Sequence, residues 1–361
     1  MWFFVGRTAE APATSGANAS RKRIDCARAA LAQALRPPDA MTERRLSPNQ
    51  VVSAWAQARL RATAQASELI GEHIRLKREL GRGATSVVWE GQDEWTKERV
   101  AVKMLRPGLA HDEATLLRFE TERRVLSMVG EAAGIGLRSA GAYGGVPYLE
   151  LDLARGESLA ERIERTQGLP PNQVFAIVRQ LLQRLDAIHE AGIVHRDIKP
   201  GNIVVGGGEG RALEVAVVDF GIATKAHAAD LSEEDAMSGT APYMGPEHMF
   251  RLGDIDGRMD LWSAAVVAYE CLTGRPAFGN ESLGLICLAV DAGQYIPPSQ
   301  FVPSLPPAVD AWFARAFRRN ILARFQCARD MERAWVSAHA ATIGRRDTPP
   351  MAMPPRTRMA A

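Results

Sequence analysis

His195-Arg196-Asp197-Ile198-Lys199-Pro200-Gly201-Asn202 is the stretch that decides the reading. It sets a carboxylate, a lysine and an amide on one short loop, at Asp+2 and Asp+5 spacing. A hydrophobic stripe at helical spacing, Val174, Val178, Leu181, Leu185 and Ile188, leads into it through Ile193-Val194. Downstream, the apolar run before Asp219-Phe220-Gly221 brings a second carboxylate. A proton acceptor, a cation and two oxygen ligands for a hard metal are the parts of phosphoryl transfer, which rests on positioning and charge neutralisation.

His-Arg-Asp-x-Lys-x-x-Asn resembles the catalytic loop of protein kinases, and Asp-Phe-Gly resembles their magnesium motif. The resemblance implies Asp197 as catalytic base or orienter of the acceptor hydroxyl. It implies Lys199 as a contact to the γ-phosphate, and Asn202 and Asp219 as Mg2+ ligands. Lysine at Asp+2 resembles the Ser/Thr-specific branch. His195 is expected to be structural, packed under Phe220. Arg196 is the residue that in the family often meets an activation-loop phosphate.

Upstream, Leu80-Gly81-Arg82-Gly83-Ala84-Thr85-Ser86-Val87-Val88 resembles the glycine-rich loop, with Ser86 where a third glycine is usual. The loop remains competent to cradle phosphate, because serine is small and its hydroxyl can donate. Lys103, in Val100-Ala101-Val102-Lys103, lies in an otherwise apolar strand, where an unpaired ammonium is costly. Glu122 shares a helix stripe with Phe119, Leu126 and Val129, whereas Glu120 lies off it, so Glu122 is the expected partner of Lys103. Pro147 to Gly156 resembles the strand and hinge between kinase lobes. There Leu151 would border the adenine, Asp152 and Ala154 would offer backbone hydrogen bonds to the base, and Ala101 would line the pocket. The glycine-rich segment Gly130 to Gly145 departs from the family and gives no shape.

Gly239-Thr240-Ala241-Pro242-Tyr243-Met244-Gly245-Pro246-Glu247 is similar to the segment that closes kinase activation loops, with Gly245 a small-for-small replacement of alanine. Thr240 is expected near Asp197, Glu247 against a buried Arg324, and Asp260 tying its helix to the catalytic-loop backbone. This segment separates protein kinases from small-molecule phosphotransferases. Lys103, Asp197, Asn202 and Asp219 are all present, which argues against a pseudokinase that only binds nucleotide. The activation loop, Ile222 to Gly239, offers Thr224, Ser232 and Ser238. It also carries Glu233-Glu234-Asp235, an acidic run expected to stand in partly for phosphate.

The chain has 361 residues, 46% of them hydrophobic, and a net charge of +2, so no strong field points to nucleic acid or a membrane surface. Its four cysteines form no Cys-x-x-Cys pair, as in a reducing cytoplasm rather than a disulfide frame. No apolar run is long enough to span a bilayer, so a cytoplasmic protein without a membrane anchor is expected. Strands come first and helices after, which predicts an α+β, two-lobed protein kinase fold: a small N-terminal lobe with an antiparallel sheet and one helix, then a larger helical lobe. The lobes are assigned to 70–153 and 154–338. Residues 1–46 read as an unstructured head, with Met41 a candidate true start. Residues 47–69 read as a helical extension, capped at Ser47-Pro48, and as a candidate docking segment for a regulatory partner. Residues 339–361 read as a disordered tail. ATP and Mg2+ are the implied cofactors, and Ser/Thr-containing proteins, this chain included, the implied substrates.

Overall fold

The computed structural model describes residues 69–208, 211–221, 224–225, 240–250, 256–279 and 282–343. The head, the helical extension expected over 47–69 except its last residue, the acidic run at Glu233-Glu234-Asp235, Ser232 and Ser238 lie outside them.

Five antiparallel strands open the fold: β1 (Ile74–Arg82), β2 (Ser86–Asp93), β3 (Arg99–Leu105), β4 (Leu137–Tyr143) and β5 (Val146–Asp152). Their order is β1-β2-β3-β5-β4. Strand alternation gives the sheet two unlike faces. Register places Val88 opposite Lys103, Lys103 opposite Leu149 and Ala101 opposite Leu151, so these share one face. The other face carries Val100, Val102 and Tyr148, which pack with Ile70 and Ile74 into an apolar cap.

Helix α1 (Glu113–Ala133) follows β3. Asp112 caps it by accepting from the Thr115 amide, and Gly134, at φ 88°, ends it in a left-handed turn. It therefore runs one turn past Val129, the last residue of the stripe that carries Glu122. Gly130 lies within the helix and has to be glycine, because a Cβ there would meet the Ile135 carbonyl at 2.6 Å. That close return, together with the Gly144-Gly145 turn at φ 54° and 81°, is the shape the glycine-rich segment takes.

After β5 come β6 (Glu157–Ser158), α2 (Leu159–Thr166) and α3 (Pro171–Glu190). Ser158 and Glu161 close a reciprocal capping box at the start of α2. The stripe Val174, Val178, Leu181, Leu185 and Ile188 on α3 is fully buried, as its spacing predicts. Strand β7 (Ile193–Val194) leads to the loop at His195, and β8 (Ile203–Gly208) pairs with both β6 and β9 (Arg211–Val217). A two-residue strand β10 (Thr224–Lys225) pairs with β7. The helical part is completed by α4 (Pro246–Met249), α5 (Arg258–Thr273), α6 (Leu283–Ala292), α7 (Pro307–Ala316) and α8 (Ala328–Ile343). Helix α5 is buried on every side from Met259 to Ala268 and forms the centre of this part. The last helix continues to Ile343, past the boundary expected at 338. Among the described residues no helix is long and apolar enough to cross a membrane.

Candidate active site

The sheet and the helical part meet at one amine. Lys103 Nζ donates to Glu122 Oε1 on α1 at 2.6 Å and to Asp219 Oδ1, beyond β9, at 2.8 Å. Burial works against the ammonium, but Glu122 and Asp219 outweigh it and raise its pKa. Glu120 faces elsewhere, paired with Arg123 at 2.7 Å and Arg124 at 2.9 Å. The choice of Glu122 over Glu120 thus follows from the apolar stripe. Lys103, against burial, pulls the Asp219 carboxyl down to about 2, so it stays ionised at neutral pH. Asp219 sits at φ 64°, a left-handed conformation that costs a non-glycine residue about 1–3 kcal/mol and must be held by its surroundings.

The loop from β7 is held from below. Asp260 at the start of α5, 1% exposed, accepts from the His195 and Arg196 amides, each at 2.8 Å. His189 lies 2.8 Å from the same carboxylate. Nothing in the spacing of His189 marks it, since its partner is 71 residues away. The His195 ring packs edge-on against Phe220 at 4.6 Å. Its Nδ1 accepts from the Asp197 amide at 3.3 Å and its Nε2 faces the Val218 carbonyl at 3.2 Å. An amide can only donate and a carbonyl only accept, so the ring is the neutral Nε2–H tautomer. Burial lowers its pKa in the same sense. His195 is therefore a spacer, as expected.

Asp197 is met on both oxygens. Oδ1 accepts from the Thr240 hydroxyl at 2.9 Å, and Oδ2 from Asn202 Nδ2 and Lys199 Nζ, each at 2.8 Å. Lys199 also donates to Thr240 Oγ at 3.0 Å. Asn202 gives its N–H groups to Asp197, which leaves Oδ1 as the atom it would offer a metal.

The glycine-rich turn joins β1 to β2. A Cβ on Gly81 would meet nothing within 4 Å, and one on Gly83 only the Ser86 carbonyl at 3.7 Å. The glycines leave room above the cleft, where a bound group would lie. Ser86 is buried at the root of β2 opposite Leu105. Arg82 turns to Glu79 at 2.6 Å, and Leu80 is exposed. Arg106, which sequence reasoning missed, pins the tip through the Thr85 and Ala84 carbonyls at 2.9 and 3.0 Å. One expectation is corrected. Val88, Ala101 and Leu151 share the face of Lys103, but Val87, one residue out of phase, points to the opposite face beside Met104. Asp152 directs its side chain away, to Arg138 at 2.6 Å and the Gly136 amide at 3.1 Å, and Ala154 follows it in the linker.

The closing segment is tied to the helical core. Tyr243 donates to Glu270 at 2.7 Å, and Ser263 to the Tyr243 carbonyl at 2.8 Å. Glu247 and Arg324 form a two-pronged buried pair at 2.8 and 2.9 Å, with the guanidinium 4.5 Å over the Trp262 ring. Gly245 is not a neutral replacement, since a Cβ there would sit 2.9 Å from Glu247 Oε1 and 3.1 Å from Trp262 Cγ.

The protein kinase domain model matches residues 74–296, a span that contains every group above except Arg324. The chain belongs to the protein kinase family. Its family relatives include the serine/threonine-protein kinase PknL of Mycobacterium tuberculosis, 33% identical over 72% of this chain and 64% of PknL. PknE of the same species is 35% identical over 74% of this chain and 46% of PknE. PknH is 33% identical over 78% of this chain and 46% of PknH. The chain thus spans less than two thirds of the length of these relatives.

Proposed function

We propose that this chain is a protein kinase that moves the γ-phosphoryl group of ATP onto Ser or Thr hydroxyls of proteins, itself among them. The observation that carries the reading is the convergence of Lys103, Glu122 and Asp219 beside Asp197, Lys199, Thr240 and Asn202. The donor set fits the implied metal: an ionised carboxylate on Asp219 and an amide oxygen on Asn202 are hard oxygen ligands of the kind Mg2+ takes. Bound there, Mg2+ would neutralise charge on the phosphates. Lys103, held by Glu122, presents its ammonium to the phosphates, and the room over Gly81 and Gly83 admits them. Val88, Ala101 and Leu151 give the adenine an apolar wall.

Asp197 orients the acceptor hydroxyl and takes its proton late. Lys199 and Thr240 hold the Asp197 carboxylate in place and mark where the peptide lies. A cavity of about 410 Å³ opens beside Lys199, between Pro200, Tyr243 and Glu270 on one side and Ile163 and Gln167 at α2 on the other. A cytoplasmic location, where ATP and free thiols coexist, belongs to the same proposal, as does a regulatory partner at residues 47–69.

The test is transfer of labelled phosphate from γ-labelled ATP to the purified full chain and to a generic protein acceptor, against Asp197→Asn. Wild type should label serine and threonine, and the variant should lose transfer while still binding nucleotide. Equal labelling in both would sink the assignment.

A further inference from the structure

The face of the five-stranded sheet turned away from Lys103 holds a second polar cluster that phosphoryl transfer does not use. His73 lies in the turn before β1, Asp93 closes β2 and Glu150 lies within β5. They are 7%, 6% and 3% exposed. A ring nitrogen of His73 and one oxygen from each carboxylate lie within 4.8 Å of one another. Two buried carboxylates face a single imidazole, whose pKa the Glu150 carboxylate raises against burial, and among the described residues neither carboxylate pairs with a lysine or arginine. Buried charge of that kind calls for a cation.

The hydrogen bonds around the cluster preset ligands. His73 Nδ1 is bonded to the Gly71 carbonyl, which makes Nδ1–H the donor. That is the outer contact by which metal-bound histidines are oriented, and it leaves Nε2 facing the carboxylates. Asp93 Oδ1 holds the Trp95 and Thr96 amides at 2.7 and 3.1 Å, and Ser139 donates to Glu150 Oε2 at 2.6 Å. One edge of the cluster, His73 Nε2 to Glu150 Oε2, is 3.3 Å, within reach of both a long hydrogen bond and a pair of metal ligands. A charge-assisted N–H···O bond closes to about 2.7–2.9 Å. Lys103 and Glu122 close to 2.6 Å, yet His73 and Glu150 do not. Two neighbouring ligands at about 2.1 Å from a tetrahedral metal stand about 3.4 Å apart. Trp95 stacks on the imidazole at 4.4 Å and, being 63% exposed, is the outer cover of the cluster.

We propose that His73, Asp93 and Glu150 bind a divalent transition-metal ion of the Zn2+ type, with water as fourth ligand. An imidazole nitrogen with two carboxylates selects such an ion, whereas the all-oxygen set of Asn202 and Asp219 suits Mg2+. The ion would fasten the turn before β1 and the end of β2 to β5, the strand that carries Leu151. The site is independent of the kinase reading.

The test uses the full chain, stripped with chelator and dialysed against Zn2+ alone. Wild type should retain one equivalent. Its melting temperature should rise by about 5 °C with Zn2+ at about a hundredfold excess over its dissociation constant. His73→Gln and Glu150→Gln should each lose the bound ion and the shift, while Asp219→Asn, at the other metal position, keeps both. X-ray absorption on Zn2+-loaded wild type needs no variant to fold, and should show nitrogen and oxygen ligands with imidazole scattering. No retained Zn2+, a sulfur shell from a cysteine site, or stabilisation that survives both variants overturns the proposal. The cluster would then be a histidine–carboxylate ion pair.

Discussion

Replacing Glu247 by glutamine tests how the closing segment is held. The carboxylate and the Arg324 guanidinium are both nearly buried and meet on two prongs at 2.8 and 2.9 Å. Glu247→Gln keeps the volume and one acceptor but leaves the guanidinium uncompensated. Breaking such a pair from one side costs about 3–5 kcal/mol, and glutamine's remaining oxygen puts this case near about 3 kcal/mol. A domain of roughly 270 residues unfolds with an entropy of roughly 0.57 kcal/mol/K, so the melting temperature should fall by about 5 °C. Arg324 also donates to the Arg318 and Arg319 carbonyls, so Arg324→Met carries its own cost. The double variant should lose less than the sum of the two singles, because neither charge is then stranded. Scanning calorimetry of the four proteins measures this. A Glu247→Gln melt within about 1 °C of wild type, or strict additivity, would refute the argument that stranded buried charge dominates.

Gly245→Ala restores the alanine usual in the family but drives a methyl against Glu247 Oε1 and Trp262, so it should destabilise by about 1–3 kcal/mol. The same melts read the loss, and a Gly245→Ala midpoint at or above wild type would refute it. Lys103→Met should lower kcat for phosphate transfer by about 10²–10³, the cost of deleting one preorganised donor to developing charge. Glu122→Gln should lower it less, since Asp219 still holds the amine at 2.8 Å. A Lys103→Met enzyme within threefold of wild type by steady-state kinetics would contradict the site. Burial depresses the pKa of His195 and of His248 below the usual value. The unfolded chain then binds more protons below about pH 6.5, so this contribution to stability is complete above that pH and is lost as pH falls. In a His73→Gln background, which removes the opposing titration of a ring whose pKa Glu150 raises, denaturation midpoints should therefore drop between about pH 7.5 and 5. A flat or rising profile would mean that the two rings are not buried neutral.

The sequence by itself determined the fold class and named the candidate site residues, through strands that precede helices and motifs that resemble those of protein kinases. The apolar stripe of α1 chose Glu122 over Glu120, and an ammonium in an apolar strand announced that Lys103 needs anions. Only the tertiary structure decided facts that depend on register and on distant partners. Strand phase sent Val87 to the face opposite Val88, and no composition signal sets that phase. His189 on Asp260, Arg106 on the glycine-rich turn, and the space denied at Gly245 come from chain segments that meet only after folding. The His73–Asp93–Glu150 cluster is the extreme case. Its members are spread over 77 positions, and the burial that gives them meaning exists only once β2 and β5 lie in one sheet.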